Sequence, residues 1–270
     1  MTGPLRMRLE PSSQTERLKG TYTRMATKTP TLEELLQAGA HFGHQTSKWH
    51  PQMKKYIFGS RNGVHILNLE ETQKGLEKAM VYMHGIAARG GTILFVGTKK
   101  QAAKIVEDAA ASCTMPHVTK RWLGGTLTNY AAMATMLRKF KDLKRRSEKG
   151  ELAKYTKFEQ MKFAEQIEKL EDKVGGIQDL ARMPDALFIF DIRKDKTAMI
   201  EATHRGIPVI AVCDTNVNPS DVDYPIPMND DGVKAIEMIA KLAASACKDG
   251  RDEWESARAR LGGSLVKENA

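Results

Sequence analysis

The chain has 270 residues and a mass of 30.1 kDa, which is enough for one large domain or two small ones with a hydrophobic core. Lys and Arg number 42 against 33 Asp and Glu, and the net charge of +9 favours a polyanionic partner. No apolar run approaches the ~20 residues of a membrane-spanning helix. The three cysteines are too far apart in sequence to indicate a disulfide framework or a zinc finger, which favours a reducing compartment.

Residues 1–24 stand apart in composition, because basic residues there mix with Ser, Thr, Gly and Pro and show no apolar periodicity. This pattern is typical of a disordered extension, and Met25 offers an alternative start. Glu10 and Glu16 disfavour a transit peptide. The other predicted boundaries give an α/β sheet domain over residues 25–125 and 176–249, an inserted hairpin over residues 126–175 and a C-terminal tail over residues 250–270.

The first predicted elements are a short helix and a pair of strands. Thr31 and Glu34 have the spacing of a capping box, which predicts that a helix opens there. Residues 56–58 and 64–67 have the composition of two short strands. Asn62-Gly63 lies between them and supplies the residues that a tight hairpin turn needs.

Three continuous apolar runs of strand length form the predicted core. Strands that are apolar on both faces belong to parallel sheets covered by helices on each side. A helical segment follows each run, and this alternation predicts an open, doubly wound α/β sheet. The strands are expected at residues 92–96, 186–190 and 208–212, and the helices at residues 70–88, 99–112, 195–205 and 230–248.

A segment inserted between these strands and helices has apolar residues at the spacing of an α-helix. Apolar residues recur every three to four positions over residues 126–147 and again over residues 158–175, with Gly150 in the short link. Two such helices predict an antiparallel hairpin. Each apolar stripe is narrow, so the hairpin is expected to project from the sheet and contact a partner. The alternative is that it folds back as one more layer.

The distribution of charge indicates a nucleic-acid partner. Residues 35–69 and 109–141 contain no acid, whereas acids outnumber bases over residues 179–237. Lys and Arg displace condensed counterions from phosphates, and aromatic rings stack on exposed bases. Chance runs on a basic protein are the alternative explanation. The candidate RNA-binding residues are Lys48, Trp49, Lys54, Lys55, Arg61, Lys99, Lys100, Lys120, Arg121, Arg138 and Lys139.

A doubly wound sheet also raises the possibility of an enzyme. Residues 96–100 follow a strand and open a helix, which is where a phosphate would bind to a helix N-terminus. The segment has neither the spacing of a P-loop nor the three glycines of a dinucleotide site. No nucleophile, base and orienting group can be recognised together. A nucleotide- or phosphate-binding enzyme is therefore the alternative function.

Metal binding is a further alternative. Asp191 and Asp214 each end an apolar strand, so both are expected at the carboxyl edge of the sheet, and His44 has a spacing from His41 that suits a metal. These groups would offer ligands for zinc or magnesium. Hydrogen bonding to loop backbone and helix capping are the favoured explanation, so no cofactor is predicted.

Residues 121–125 allow two interpretations. Gly124 and Gly125 permit either a sharp turn or a close approach of the backbone to another molecule. Arg121 and Trp122 could contact a phosphate and a base or sugar. The favoured interpretation makes Trp122 a core residue at the root of the hairpin and keeps Lys120 and Arg121 on the surface.

Six motifs follow one another along the chain: LLQAGAHFGHQ at residues 35–45, YIFGSRNGVHI at 56–66, ILFVGTK at 93–99, RWLGGTLTN at 121–129, PDALF at 184–188 and GIPVIAVCDTN at 206–216. In sequence and in order they resemble the ribosomal protein S-two family of the bacterial small subunit. The similarity extends from about residue 31 to residue 248.

The resemblance implies a flavodoxin-like sheet with a coiled-coil hairpin, in a structural protein without catalytic activity. It also implies a place between the head and body of the small subunit, contact with ribosomal RNA and recruitment of the messenger-binding protein S-one. By this similarity, residues 179–237 are a candidate protein-facing surface and the two acid-free stretches face RNA. The expected location is the ribosome in the bacterial cytoplasm, with an organellar ribosome less favoured and no membrane contact.

Overall fold

A short helix and a three-stranded antiparallel sheet open the computed structural model, which describes residues 29–267 and side chains as far as residue 260. The extension predicted for residues 1–24 lies outside the described residues. Thr31 caps the helix with the expected capping box, and Asn62 and Gly63 form the turn with φ of 51° and 76°. The elements are α1 (Leu32–Gln37), β1 (Phe42–Gln45), β2 (Ile57–Arg61) and β3 (Val64–Leu67), with β3 in the middle.

A five-stranded sheet in which all neighbouring strands are parallel forms the centre of the fold. The strands are β4 (Ile93–Val96), β5 (His117–Val118), β6 (Ala186–Ile189), β7 (Val209–Cys213) and β8 (Tyr224–Pro227). Their spatial order is β5-β4-β6-β7-β8. Among doubly wound sheets this is the flavodoxin-like order, with the switch point between β4 and β6.

Helices cover both faces of this sheet. Phe95 and Phe188 point to one face, where they form an edge-to-face pair with centroids 5.4 Å apart, and Leu94 and Leu187 point to the other. The helices are α2 (Leu69–Ala87), α3 (Lys100–Ser112), α4 (Tyr130–Glu148), α5 (Lys157–Val174), α6 (Lys196–Arg205) and α7 (Val233–Lys267). Helices α2, α3 and α7 pack on the face of Phe95, and α4, α5 and α6 on the other.

The inserted segment contains the two predicted helices, α4 and α5. Met133, Leu137 and Phe140 of α4 are buried in the same apolar cluster as the sheet. Phe158 and Met161, near the start of α5, are exposed by 60% and 62%. The first half of α4 therefore packs against the sheet domain. That the rest of the hairpin projects from the sheet domain remains a prediction. The same holds for the coiled-coil geometry of its two helices.

The last helix continues further than the sequence pattern indicates. Helix α7 runs through residue 250, so the predicted start of a C-terminal tail lies inside a helix. Gly250 is a poor helix former, but a Cβ there would lie 2.5 Å from the carbonyl oxygen of His84. The glycine therefore allows α7 to approach α2. No helix among the described residues is long and apolar enough to cross a membrane.

Candidate nucleic-acid interface

The N-terminal sheet presents basic and aromatic side chains to solvent. Lys54 and Lys55 lie on a 3₁₀ turn that is anchored by Met53, which is completely buried. Phe58 on β2 is 80% exposed. The predicted residues Lys48, Trp49 and Arg61 are also exposed, and no ion pair joins Lys48, Lys54, Lys55 or Arg61 to another described residue.

The basic residues predicted before and on α4 are exposed too. Arg121 precedes the helix, and Arg138 and Lys139 lie on it. Arg138 donates a hydrogen bond to the carbonyl oxygen of Ala134 at 3.3 Å. Lys120 differs from the others because its ammonium group forms an ion pair with Asp172 at 2.8 Å.

Lys99 lies in a different environment from the other predicted RNA contacts. Its ammonium group lies 3.4 Å from Asp191, 3.0 Å from Asp230 and 2.6 Å from Asp231. Burial alone would lower the pKa of Lys99, but the hydrogen bonds to Asp231 and Asp230 and the nearby negative charges raise it. The structure thus places this cation among carboxylates, whereas its neighbour Lys100 is exposed.

These carboxylates form a cluster at the carboxyl ends of three parallel strands. Asp191 follows β6, Asp214 follows β7 and Asp230 follows β8, so Asp191 and Asp214 lie at the carboxyl edge of the sheet, where the sequence places them. His44 reaches the cluster from β1, with Nδ1 3.1 Å from Asp214. The hydrogen bond with Asp214 raises the pKa of His44. Burial and the charges of Asp191 and Asp214 raise the pKa of Asp230 to about 7.

The cluster has a set of ligand atoms that would suit a divalent cation. One ligand atom each of His44, Asp230 and Asp231 lie within 4.8 Å of one another. Imidazole and carboxylate are ligands that zinc accepts, and carboxylates also suit magnesium. The ammonium group of Lys99 supplies positive charge to the same carboxylates. Asp230 and Asp231 are members of this group that the sequence pattern does not predict.

The loop after β4 does not have the arrangement of a phosphate site. The backbone N–H and the hydroxyl of Thr98 donate to the carboxylate of Asp195, at 3.2 Å and 2.7 Å. Gly97 allows α3 to approach β4, since a Cβ there would lie 2.8 Å from Val106. A phosphate at this point would meet the carboxylates of Asp195 and Asp191, which repel it.

The loop before α4 is fixed by one side chain of α6. Trp122 is buried, as the favoured interpretation predicts, and its indole N–H donates to Glu201 at 3.0 Å. The backbone N–H groups of Gly125, Leu127 and Thr128 donate to the same carboxylate at 2.8–3.1 Å. Burial alone would raise the pKa of Glu201, but these hydrogen bonds lower it. Glu201 has no local sequence signal, because its partners are 73–79 residues away.

Together these features define a class of protein. The polar groups at the carboxyl edge of the sheet, which is the usual catalytic position in such folds, are engaged with one another. The exposed cations that the sequence predicts as RNA contacts lie elsewhere, on the N-terminal sheet and α4. This combination describes an α/β scaffold with an exposed basic surface that suits a binding partner.

The chain belongs to the ribosomal protein S2 family, whose model matches residues 35–250. It is 45% identical over 247 residues to the small ribosomal subunit protein uS2 of Psychrobacter cryohalolentis, covering 90% of this chain and 92% of that one. The uS2 of Dehalococcoides mccartyi is 43% identical over 90% of this chain and 99% of its own length. That of Salinibacter ruber is 46% identical over 83% and 70%. The resemblance noted in the sequence is therefore confirmed, and the chain is a ribosomal protein without enzymatic activity.

Proposed function

We propose that this protein is a structural constituent of the small ribosomal subunit, where it binds ribosomal RNA between head and body. The exposed, unpaired cations of the N-terminal sheet carry the proposal: Lys48, Lys54, Lys55 and Arg61 lie in a stretch of 35 residues without an acid. Such cations displace counterions from crowded phosphates. The names of the relatives place them in the small subunit, and in this proposal the protein acts in bacterial cytoplasmic ribosomes.

The helical insertion is the second part of the proposed RNA surface. Arg138 and Lys139 are exposed on α4, in the second acid-free stretch. The exposed ring of Phe158 on α5 lies 4.4 Å from the ammonium group of Lys162. A basic arm with an exposed ring can contact phosphate and stack on an unpaired base. A coiled-coil arm of this kind would join RNA segments that the sheet domain alone cannot span.

The RNA surface is tested by removing its charge. Replacing Lys54, Lys55 and Arg61 by Ala in one variant should weaken binding to small-subunit ribosomal RNA. The logarithm of the binding constant should also depend less steeply on the logarithm of salt concentration, by about 0.7–0.9 for every phosphate that the variant no longer neutralises. Filter binding of the full chain at several KCl concentrations measures both quantities.

The matched control removes the same charge from α7, which packs on the face of the parallel sheet that Phe95 occupies. Lys234, Lys241 and Lys248 are exposed on α7, and replacing them by Ala also lowers the net charge by three. The control variant should keep the salt dependence of the unmodified chain. Equal slopes for both triple variants would show that net charge alone governs binding, and would contradict the proposed surface.

We also propose that the acidic edge of the sheet docks a neighbouring ribosomal protein, with S-one as the partner that the family resemblance suggests. Asp231 is exposed there, beside the buried carboxylate of Asp230, and Asp221 is exposed on the connection between β7 and β8. The negative charges at this edge repel the phosphates of RNA and attract a basic protein surface. Asp221→Asn combined with Asp231→Asn should enter small subunits normally but retain less S-one after sedimentation in sucrose gradients. Unchanged retention of S-one would contradict this docking.

A further inference from the structure

We propose that the loop of residues 121–129 is a preorganised contact for the sugar–phosphate backbone of ribosomal RNA, with Gly124 at the point of closest approach and Glu201 as its positioning residue. The inference rests on the proposed RNA binding and adds a contact point to it. It follows from three properties of the loop, namely its rigidity, its charge and the open space at one glycine.

The loop is held by a single turn of α6. Glu201 accepts hydrogen bonds from Trp122, Gly125, Leu127 and Thr128. Arg205, one turn further along α6, donates to the carbonyl oxygens of Leu127 at 2.9 Å and Thr128 at 2.6 Å. The loop therefore loses little conformational freedom when a ligand binds, which favours affinity.

The charge of the loop surface suits a phosphate backbone. Arg121 is exposed at one end of the loop, and the exposed guanidinium of Arg205 lies over the other. The acid in contact with the loop, Glu201, is only 6% exposed and directs its charge to the loop amides. Thr128 and Asn129 are exposed polar side chains of the kind that contact phosphate and ribose. A protein partner would need a matching acidic surface, so RNA is the occupant we argue.

Gly124 is not explained by the fold of the chain itself. A Cβ at this position would meet no atom within 4 Å, and its φ lies outside the left-handed region that favours glycine. Gly125 beside it has a φ of 91°, so the turn itself accounts for that glycine. The missing side chain at residue 124 leaves room for another molecule to approach the backbone.

The test adds bulk at this open position. Gly124→Leu should keep the melting temperature of the unmodified chain, because residue 124 is exposed and a Cβ there meets no protein atom within 4 Å. It should weaken binding to small-subunit ribosomal RNA by about tenfold, which corresponds to ~1.4 kcal/mol. Ala257→Leu adds bulk at an exposed site on α7 and should leave both quantities unchanged. The measurement is filter binding of the full chain, with thermal unfolding followed by circular dichroism.

The outcomes separate this inference from the proposed function. Absence of RNA binding by the unmodified chain would overturn both. Binding by the unmodified chain and equal binding by Gly124→Leu would overturn the loop contact and leave RNA binding in place. If Gly124→Leu binds RNA normally but enters small subunits poorly, the loop meets a protein and the RNA assignment is wrong.

The positioning role of Glu201 has its own readout. Glu201→Gln replaces one acceptor oxygen by an N–H₂ donor, so amide hydrogen exchange at Leu127 and Thr128 should accelerate. At a temperature where circular dichroism shows the variant to be folded, its RNA affinity should fall by about the same tenfold as in Gly124→Leu. Faster exchange with unchanged RNA affinity would show that Glu201 serves stability alone, and would overturn its positioning role.

Discussion

Glu201 shows how one buried carboxylate can fix a surface loop that is distant in sequence. Its two oxygens accept hydrogen bonds from the indole of Trp122, the hydroxyl of Thr128 and three backbone N–H groups. An ionised carboxylate accepts such bonds more strongly than a neutral group. Since the fold supplies these donors ready-made, the charged form of Glu201 is the one that stabilises the folded chain.

This arrangement predicts a dependence of stability on pH. Because the folded pKa of Glu201 lies below its usual value of 4.5, its contribution is present above that pH and is lost as the pH falls through the folded pKa. Glu201→Gln should lower the free energy of unfolding by about 2–4 kcal/mol at pH 7. The difference from the unmodified chain should shrink as the pH falls below the usual pKa of 4.5 and through the lower folded pKa. Urea unfolding at several pH values measures it, with the exposed Glu77→Gln as control.

Some site residues can be predicted from local sequence and others cannot. Asp191 and Asp214 each end an apolar strand, and the rule for carboxyl ends of parallel strands is enough to bring them together. Lys99 has the sequence context of a phosphate contact, but its three carboxylate partners follow β6 and β8, more than 90 residues further along the chain. Only the folded structure shows that its charge is already neutralised.

At the scale of elements, the buried strands are the predictable ones. The runs that form β4, β6 and β7 are apolar on both faces, and this pattern predicts all three. The sequence pattern does not predict the two edge strands. Strand β5 is too short, with only two residues. Strand β8 contains Pro225 and Pro227, and proline argues against a strand with partners on both sides. Without β8, the position of Asp230 and Asp231 at the sheet edge cannot be predicted either.

The packing of α4 against the sheet domain predicts that buried and exposed residues of the helical insertion respond differently to mutation. Phe140 is completely buried in the cluster that includes the sheet, whereas Phe158 at the start of α5 is 60% exposed. Phe140→Ala should lower the free energy of unfolding by about 3–5 kcal/mol. Phe158→Ala should change it by less than ~0.5 kcal/mol. Urea unfolding compares the two, and a small effect at Phe140 would mean that α4 does not share the core of the sheet.

At the scale of the whole molecule, the fold places a residue of the first acid-free stretch in contact with carboxylates of the acidic region. His44 belongs to the acid-free stretch, yet it contacts Asp214 and Asp231 of the acidic region. The backbone N–H of His50 donates to the carbonyl oxygen of Thr215 at 2.8 Å, which fixes the N-terminal sheet on the carboxyl edge of the parallel sheet. The proposed RNA surface and the acidic edge are therefore neighbouring parts of one body. A partner protein at that edge would lie close to the bound RNA.

Shortening α7 tests how far along the chain the folded domain extends. Trp254 packs so closely on Gly90 that a Cβ there would lie 2.7 Å from its ring, and Arg251 donates to the carbonyl oxygen of Thr114 at 3.0 Å. A chain ending at Lys248 lacks both side chains and should be less stable by about 2–4 kcal/mol. At ~2–4 °C per kcal/mol, its melting temperature should fall by roughly 5–15 °C.

A chain ending at Arg260 is the matched control for this truncation, since it keeps Arg251 and Trp254. Its melting temperature should equal that of the full chain, because the described side chains that contact α2 and α3 are all retained. Circular dichroism during heating compares the three chains at equal protein concentration. Equal melting temperatures for the chains ending at residues 248 and 260 would contradict a structural role for this part of α7. The fold would then end near residue 250, where the sequence alone predicts a tail.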